Sequence, residues 1–161
     1  MAVNLKWCCN KEGGIKIIDP NENLSKGYIQ MAENAIGTMN REKKLNLQFA
    51  ISACYYSMYY SLYSIMMKLG IKCEIHACTL AFMKKMLISY YSEEDCKIIN
   101  KAFNARETSQ YYVDRIVPKE DIEFIFSKAL NFLIKSKDIL SKINEKEIMN
   151  IREEVERIIR F

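Results

Sequence analysis

The densest run of chemically capable side chains is Asn104-Ala105-Arg106-Glu107-Thr108-Ser109-Gln110-Tyr111-Tyr112-Val113-Asp114-Arg115. Arg106 offers a planar fork of N–H donors that matches the oxygens of a phosphate. Asn104, Ser109, Gln110, Tyr112 and Arg115 are the candidates to complete a nucleotide- or phosphate-binding set around it. The spacing imposes a condition. On a continuous helix Ser109, Gln110 and Val113 share the face of Arg106, while Tyr111 points about 140° away. A joint catalytic role for Arg106 and Tyr111 therefore requires the helix to break, and the weak helix formers Thr108 and Ser109 favour a loosening just past Arg106. The plainer alternative is a salt-bridged helix end in which Arg106 pairs with Glu107 or Asp114.

His76, the only histidine, lies between Cys73 and Cys78. A structural zinc site needs a tetrahedral ligand set at regular spacing, which this trio lacks. No metal site is expected, and His76 reads as a residue packing or capping a helix start. Tyr55, Tyr56, Tyr59, Tyr60 and Tyr63 crowd one stretch. They are capable of stacking on bases, but core packing with hydroxyls reaching partners at the edge is favoured. A Gly-rich phosphate loop, a Gly-x-Ser-x-Gly elbow and a Cys-x-x-Cys pair are all missing, and no cofactor is implied.

The residues must be held by helices. With 5 Gly and 2 Pro among 161 residues there is little turn material. Half of the chain is hydrophobic and 27% charged, an ordinary globular balance. The net charge of +4 is spread out, which permits nucleic-acid binding without demanding it. Lys6, Lys11 and Glu12 interrupt the N-terminus before any secretory apolar run. The six cysteines are accordingly expected as reduced thiols in a cytoplasmic protein. Leu45 to Met67 is 23 residues without a charge. Its length suits a bilayer, yet its serines, Asn46, Gln48 and tyrosines favour the buried central helix of a bundle, and no membrane association is expected.

The expected architecture is all-α: one up-and-down bundle of four to five main helices over residues 1–161, with a leader (1–19) packed on it, a core (20–143) and a C-terminal helix (144–161). Trp7 and Ile15, Ile17 and Ile18 are expected to tuck the leader in. Asp19-Pro20-Asn21 starts a helix with a stripe including Leu24, Tyr28, Met31, Ala32 and Met39. Gly70 closes the central helix, and a third helix is predicted over 76–89. Ser92 followed by acids starts the fourth. Pro118 begins the next, which carries Ile122, Phe126 and Leu130 inward. Asn144 with Glu147 forms a capping box for the last.

Four pieces in order carry a family likeness: Ala53-Cys54-Tyr55-Tyr56-Ser57-Met58-Tyr59-Tyr60-Ser61, then Lys68-Leu69-Gly70-Ile71, then His76, then Ala102-Phe103-Asn104-Ala105-Arg106 with Tyr111 beyond. Together they resemble the HEPN (higher-eukaryote and prokaryote nucleotide-binding) family. Lys6-Trp7-Cys8 and Ile18-Asp19-Pro20-Asn21-Glu22-Asn23-Leu24 are similar to an archaeal branch of it. The resemblance implies a helical bundle, often a homodimer, and in many members a metal-independent ribonuclease of toxin–antitoxin or defence systems. Such enzymes carry an arginine followed a few residues later by a histidine. Arg106 matches the arginine, but Tyr111, Tyr112 and Val113 stand where the histidine falls. With a pKa near 10, tyrosine is a poor base at neutral pH. His76 substitutes only if folding brings it to Arg106. Other members partner a minimal nucleotidyltransferase, and in some pairs a tyrosine after the motif accepts the nucleotidyl group. Tyr111 and Tyr112 match that position. The resemblance thus implies an RNA- or nucleotide-binding partner protein, with a ribonuclease or a purely structural interaction domain as alternatives.

Overall fold

Helix starts in this chain are written by side chains that satisfy the free N–H groups of a first turn. In the computed structural model, which describes residues 3–161, Asn21 accepts from the Leu24 amide and opens α2 (Glu22–Glu42). Asn46 accepts from Phe49 and opens α3 (Leu47–Leu69). Ser92 and Asp95 cap each other reciprocally at α5 (Glu93–Tyr111), as Asn144 and Glu147 do at α7 (Glu145–Arg160). Pro118 precedes α6 (Lys119–Lys142). Two shorter helices complete the set, α1 (Leu5–Cys9) and α4 (His76–Met86). The first two residues of the expected leader lie outside the described residues.

The architecture is helical, as expected, but the expected count of four to five main helices is too low. Among the described residues there are seven: the six individually marked in the sequence, α4 and α7 included, and α1 in the leader. The only strands described are β1 (Lys16–Ile17) and β2 (Ile71–Lys72), antiparallel, with Lys16 opposite Lys72. α3 is the centre and packs chiefly on α2, then α6 and α5. It is covered on nearly all sides. Its fully buried Ser57, Ser61 and Ser64 return their hydroxyls to the carbonyls of Cys54, Ser57 and Ser61, so no polar group is stranded. No described helix is long and apolar enough to cross a membrane.

Other expectations are corrected. Cys8 and Cys78 form a disulfide, so the six cysteines are not all thiols. The bond fastens α1 to the first turn of α4. Trp7 does not tuck in; it is 47% exposed under the Lys11 ammonium, while Ile15 takes the buried place. Leu24, Met31 and Leu130, read as inward, are about half exposed, because Ala32, Met39, Ala129 and Leu133 suffice to face the core. The third helix stops at Met86 rather than Ser89.

Candidate functional site

The helix that carries Arg106 does not break. α5 continues through Thr108 and Ser109 to Tyr111, and the Ser109 hydroxyl bonds back to the Arg106 carbonyl. Weak intrinsic propensity yields to packing, since Ala102, Ala105 and Arg106 are all buried against the bundle. The consequence is a correction: Tyr111 points away, is 61% exposed, and forms no site with Arg106.

Two helices meet at the arginine instead. The guanidinium lies over the rings of Tyr55 and Tyr56 on α3 and Phe103 on α5, at 4.9, 5.6 and 5.5 Å. Nη1 donates to the Tyr56 hydroxyl and to Gln110 Oε1, both at 3.4 Å. Nη2 donates to Glu107 Oε1 at 2.6 Å, so one arm of the salt-bridged alternative is what forms. Arg106 is only 5% exposed, and its Nε is buried without a hydrogen-bond partner among the described residues.

His76 arrives from the first residue of α4. Its ring stacks on Tyr59 at 4.2 Å, and its Nδ1 is 2.7 Å from the Tyr55 hydroxyl. Tyr55 therefore touches both groups: its hydroxyl meets the imidazole and its ring carries the guanidinium. Burial, and secondarily the positive Arg106 nearby, hold the His76 pKa below its ordinary value. Burial likewise pushes the Tyr55 and Tyr59 phenols well above theirs, so both stay neutral. The arrangement offers a fixed cation beside a neutral imidazole, the pair of capacities that phosphoryl chemistry uses.

The remaining nominated residues divide. Ser109, Gln110, Tyr112 and Arg115 line one groove of about 330 Å³ with Leu47 and Gln48 of α3. Arg115 lies over the Tyr112 ring at 4.0 Å. Asn104 is apart, on the side of α5 that carries Lys97 and Lys101 and faces Asp121 of α6. Of the metal-ligating types near His76, Cys78 is in the disulfide and Cys73 is buried, its Sγ donating to the Ile75 carbonyl. Sequence reasoning missed Tyr55, Tyr56 and Phe103 as the aromatic seat of Arg106. The dense tyrosines were the available signal; nothing in the sequence tied them to an arginine some fifty positions on.

The HEPN domain family model matches residues 26–140. A Methanocaldococcus jannaschii protein named "Putative toxin MJ0142" is 32% identical over 99 residues, covering 60% of this chain and 67% of that relative.

Proposed function

This chain belongs to the HEPN domain family, and from that membership we propose that it is the RNA- or nucleotide-binding component of a toxin–antitoxin-like module, partnered by a minimal nucleotidyltransferase. The carrying observation is the groove that gathers Ser109, Gln110, Tyr112 and Arg115 at the end of α5, with Tyr111 beside it in solvent. An arginine fork, hydroxyls and an amide around a small groove suit a phosphate and its sugar. Exposed phenols at the helix end suit modification by a partner: the tyrosyl oxygen attacks the α-phosphorus of a nucleoside triphosphate, an O–P bond forms, pyrophosphate leaves, and the partner's base takes the proton. The name of the archaeal relative supports the toxin–antitoxin setting. The test is co-expression with a minimal nucleotidyltransferase, followed by intact mass measurement. A nucleotidyl mass increase that disappears in Tyr111→Phe/Tyr112→Phe supports the reading. A lack of both co-purification and mass change sinks it.

A second reading, a metal-independent ribonuclease, is favoured by the convergence of His76 and Arg106 on Tyr55. In the tautomer whose Nδ1–H is donated to the Tyr55 oxygen, Nε2 is free to take the proton of an RNA 2′-hydroxyl. The 2′-oxygen then attacks the adjacent phosphorus to give a 2′,3′-cyclic phosphate, the bond to the 5′-oxygen breaks and that oxygen takes the proton from His76, while Arg106 stabilises the charge that develops. RNA cleavage that persists in both Arg106→Ala and His76→Gln overturns this reading.

A further inference from the structure

Four of the six cysteines gather where the leader meets the start of α4. Cys8 and Cys78 are bonded to each other, and each has a second cysteine close by in the chain: Cys9 beside Cys8, and Cys73 five positions before Cys78. The backbone draws these two neighbours together as well. The Cys8 carbonyl accepts from the Ile15 amide at 3.0 Å. Two residues earlier, the Gly13 carbonyl accepts from the amide of Glu74, next to Cys73, at 2.7 Å. The disulfide on one side and the Gly13–Glu74 bond on the other thus bracket Cys9 and Cys73. The thiols also sense each other through space: burial first, and then Cys73, raise the Cys9 pKa above its ordinary value. Their access to solvent differs. Cys9, the last residue of α1, is half-buried, while Cys73 is buried. The other two thiols lie elsewhere, Cys54 on α3 and Cys96 in the first turn of α5.

We propose that Cys9 and Cys73 are a redox-active thiol pair, which a low-molecular-weight disulfide closes into a second bond between α1 and the loop that leads into α4. Cys9 reacts first, because it alone of the pair meets solvent. Its thiolate attacks one sulfur of the reagent, a mixed disulfide forms, and one small thiolate leaves. The Cys73 thiolate then attacks Cys9 Sγ, and the second small thiolate leaves. The departing thiolates take up the two protons that the cysteines gave. Two protein thiols are oxidised, and one small disulfide is reduced to two thiols. Burial keeps the reagent from Cys73 and reserves it for resolving the intermediate. The new bond acts on α4. Reduced Cys73 donates its S–H to the carbonyl of Ile75, the N-cap of α4, while its amide donates to the Tyr63 hydroxyl. Oxidation removes the S–H donor and re-aims the loop that ends at His76, so the state of the pair is read at the imidazole. The chemistry needs neither RNA nor a nucleotidyltransferase, and it stands or falls separately from the functional readings above.

The test is incubation of the full chain, its Cys8–Cys78 bond intact, with oxidised glutathione, followed by intact mass measurement and disulfide mapping of a non-reduced digest. The expected product is lighter by two hydrogens and yields a Cys9–Cys73 peptide. Cys73→Ser, which cannot resolve the intermediate, should accumulate a glutathione adduct on Cys9. Cys9→Ser, a change at a half-buried position that keeps the fold, should give neither product. Cys96→Ser should react as the unsubstituted chain does. By NMR, the signal of the lone imidazole should move between the singly and doubly bonded forms. A mass that does not fall, or a fall that persists in Cys9→Ser, overturns the pair. A mapped Cys73–Cys78 bond overturns it too, because Cys73 then exchanges with the existing disulfide instead. A Cys9–Cys73 bond that leaves the His76 signal in place overturns the coupling to α4.

Discussion

Glu107 decides whether Arg106 is available. The two are one residue apart on α5, yet their exposures differ: the arginine side chain is 6% accessible and the carboxylate 38%. A carboxylate and a phosphate present the same geometry to a guanidinium, so Glu107 holds the position that a phosphate oxygen must take. Glu107→Gln keeps an acceptor for Nη2 and removes the competing charge. Phosphate or RNA affinity is expected to rise roughly three- to tenfold, read by titration with inorganic phosphate and oligonucleotide; unchanged or weaker binding removes Arg106 from the ligand site. His76 supplies a second measurement, since a lone histidine gives one imidazole titration curve by NMR. Burial and Arg106 depress its folded pKa below 6.5. Between the unfolded and the lower folded value the unfolded chain binds more protons, so stability falls as pH drops through that window and is fully present above it. Arg106→Ala should raise the midpoint only partway, because burial is the larger cause. The sequence made Arg106 legible through its local company, and left His76 open because thirty positions and a helix turnaround separate the two.

The element ends hold most of what was readable. Ser92, Asn144 and Gly70 act through their nearest neighbours, so their signals are local and all three stand where the sequence put them. The unbroken α5 was not readable, because Thr108 and Ser109 speak only for intrinsic preference while buried Ala105 and Arg106 are held by another helix. The β1–β2 pair is too short to show any periodicity. At Gly70 a local signal meets a long-range one. The residue closes α3 with φ of 73°, and a Cβ there would lie 2.1 Å from Arg152 Nη1 and 2.4 Å from the Ile18 carbonyl oxygen. That Nη1 donates to the carbonyls of Ile18, Leu69 and Gly70, stitching α7 to the end of α3 and to the leader. Gly70→Ala is therefore expected to cost at least the ~1–3 kcal/mol of left-handed strain. Arg152→Ala should lose about 1.5–3 kcal/mol from its charged hydrogen bonds. Urea denaturation reads both, and because the alanine methyl displaces the Arg152 guanidinium the two losses should be less than additive in the double variant. Full additivity would mean the two sites act separately.

At the scale of the molecule, α3 explains why the all-helical class was legible and the arrangement of the leader was not. An uncharged, serine- and tyrosine-bearing run of that length has few places to go except the middle of a bundle. Cysteine spacing carries no such information: Cys8 and Cys78 are 70 positions apart, and only the folded path of β1, β2 and the loop before α4 brings them together. Closing a loop of that size restrains the unfolded chain by about 4 kcal/mol in the chain-entropy account. Cys8→Ser/Cys78→Ser, or a dithiol reductant acting on the unsubstituted chain, should lower the unfolding midpoint; equal stability of the oxidised and reduced chain would remove the bond as a stabilising element. The same bond has a consequence at the site. It clamps α1 against α4 two residues past His76, and Val3 of the leader lines the groove at Ala77. Since burial is the main reason the imidazole resists protonation, loosening the leader should let water in and move the His76 midpoint up toward 6.5. Measured below the unfolding transition, a midpoint that rises with reduction makes the clasp part of the site's electrostatics, whereas one that stays fixed while stability falls confines it to holding the leader.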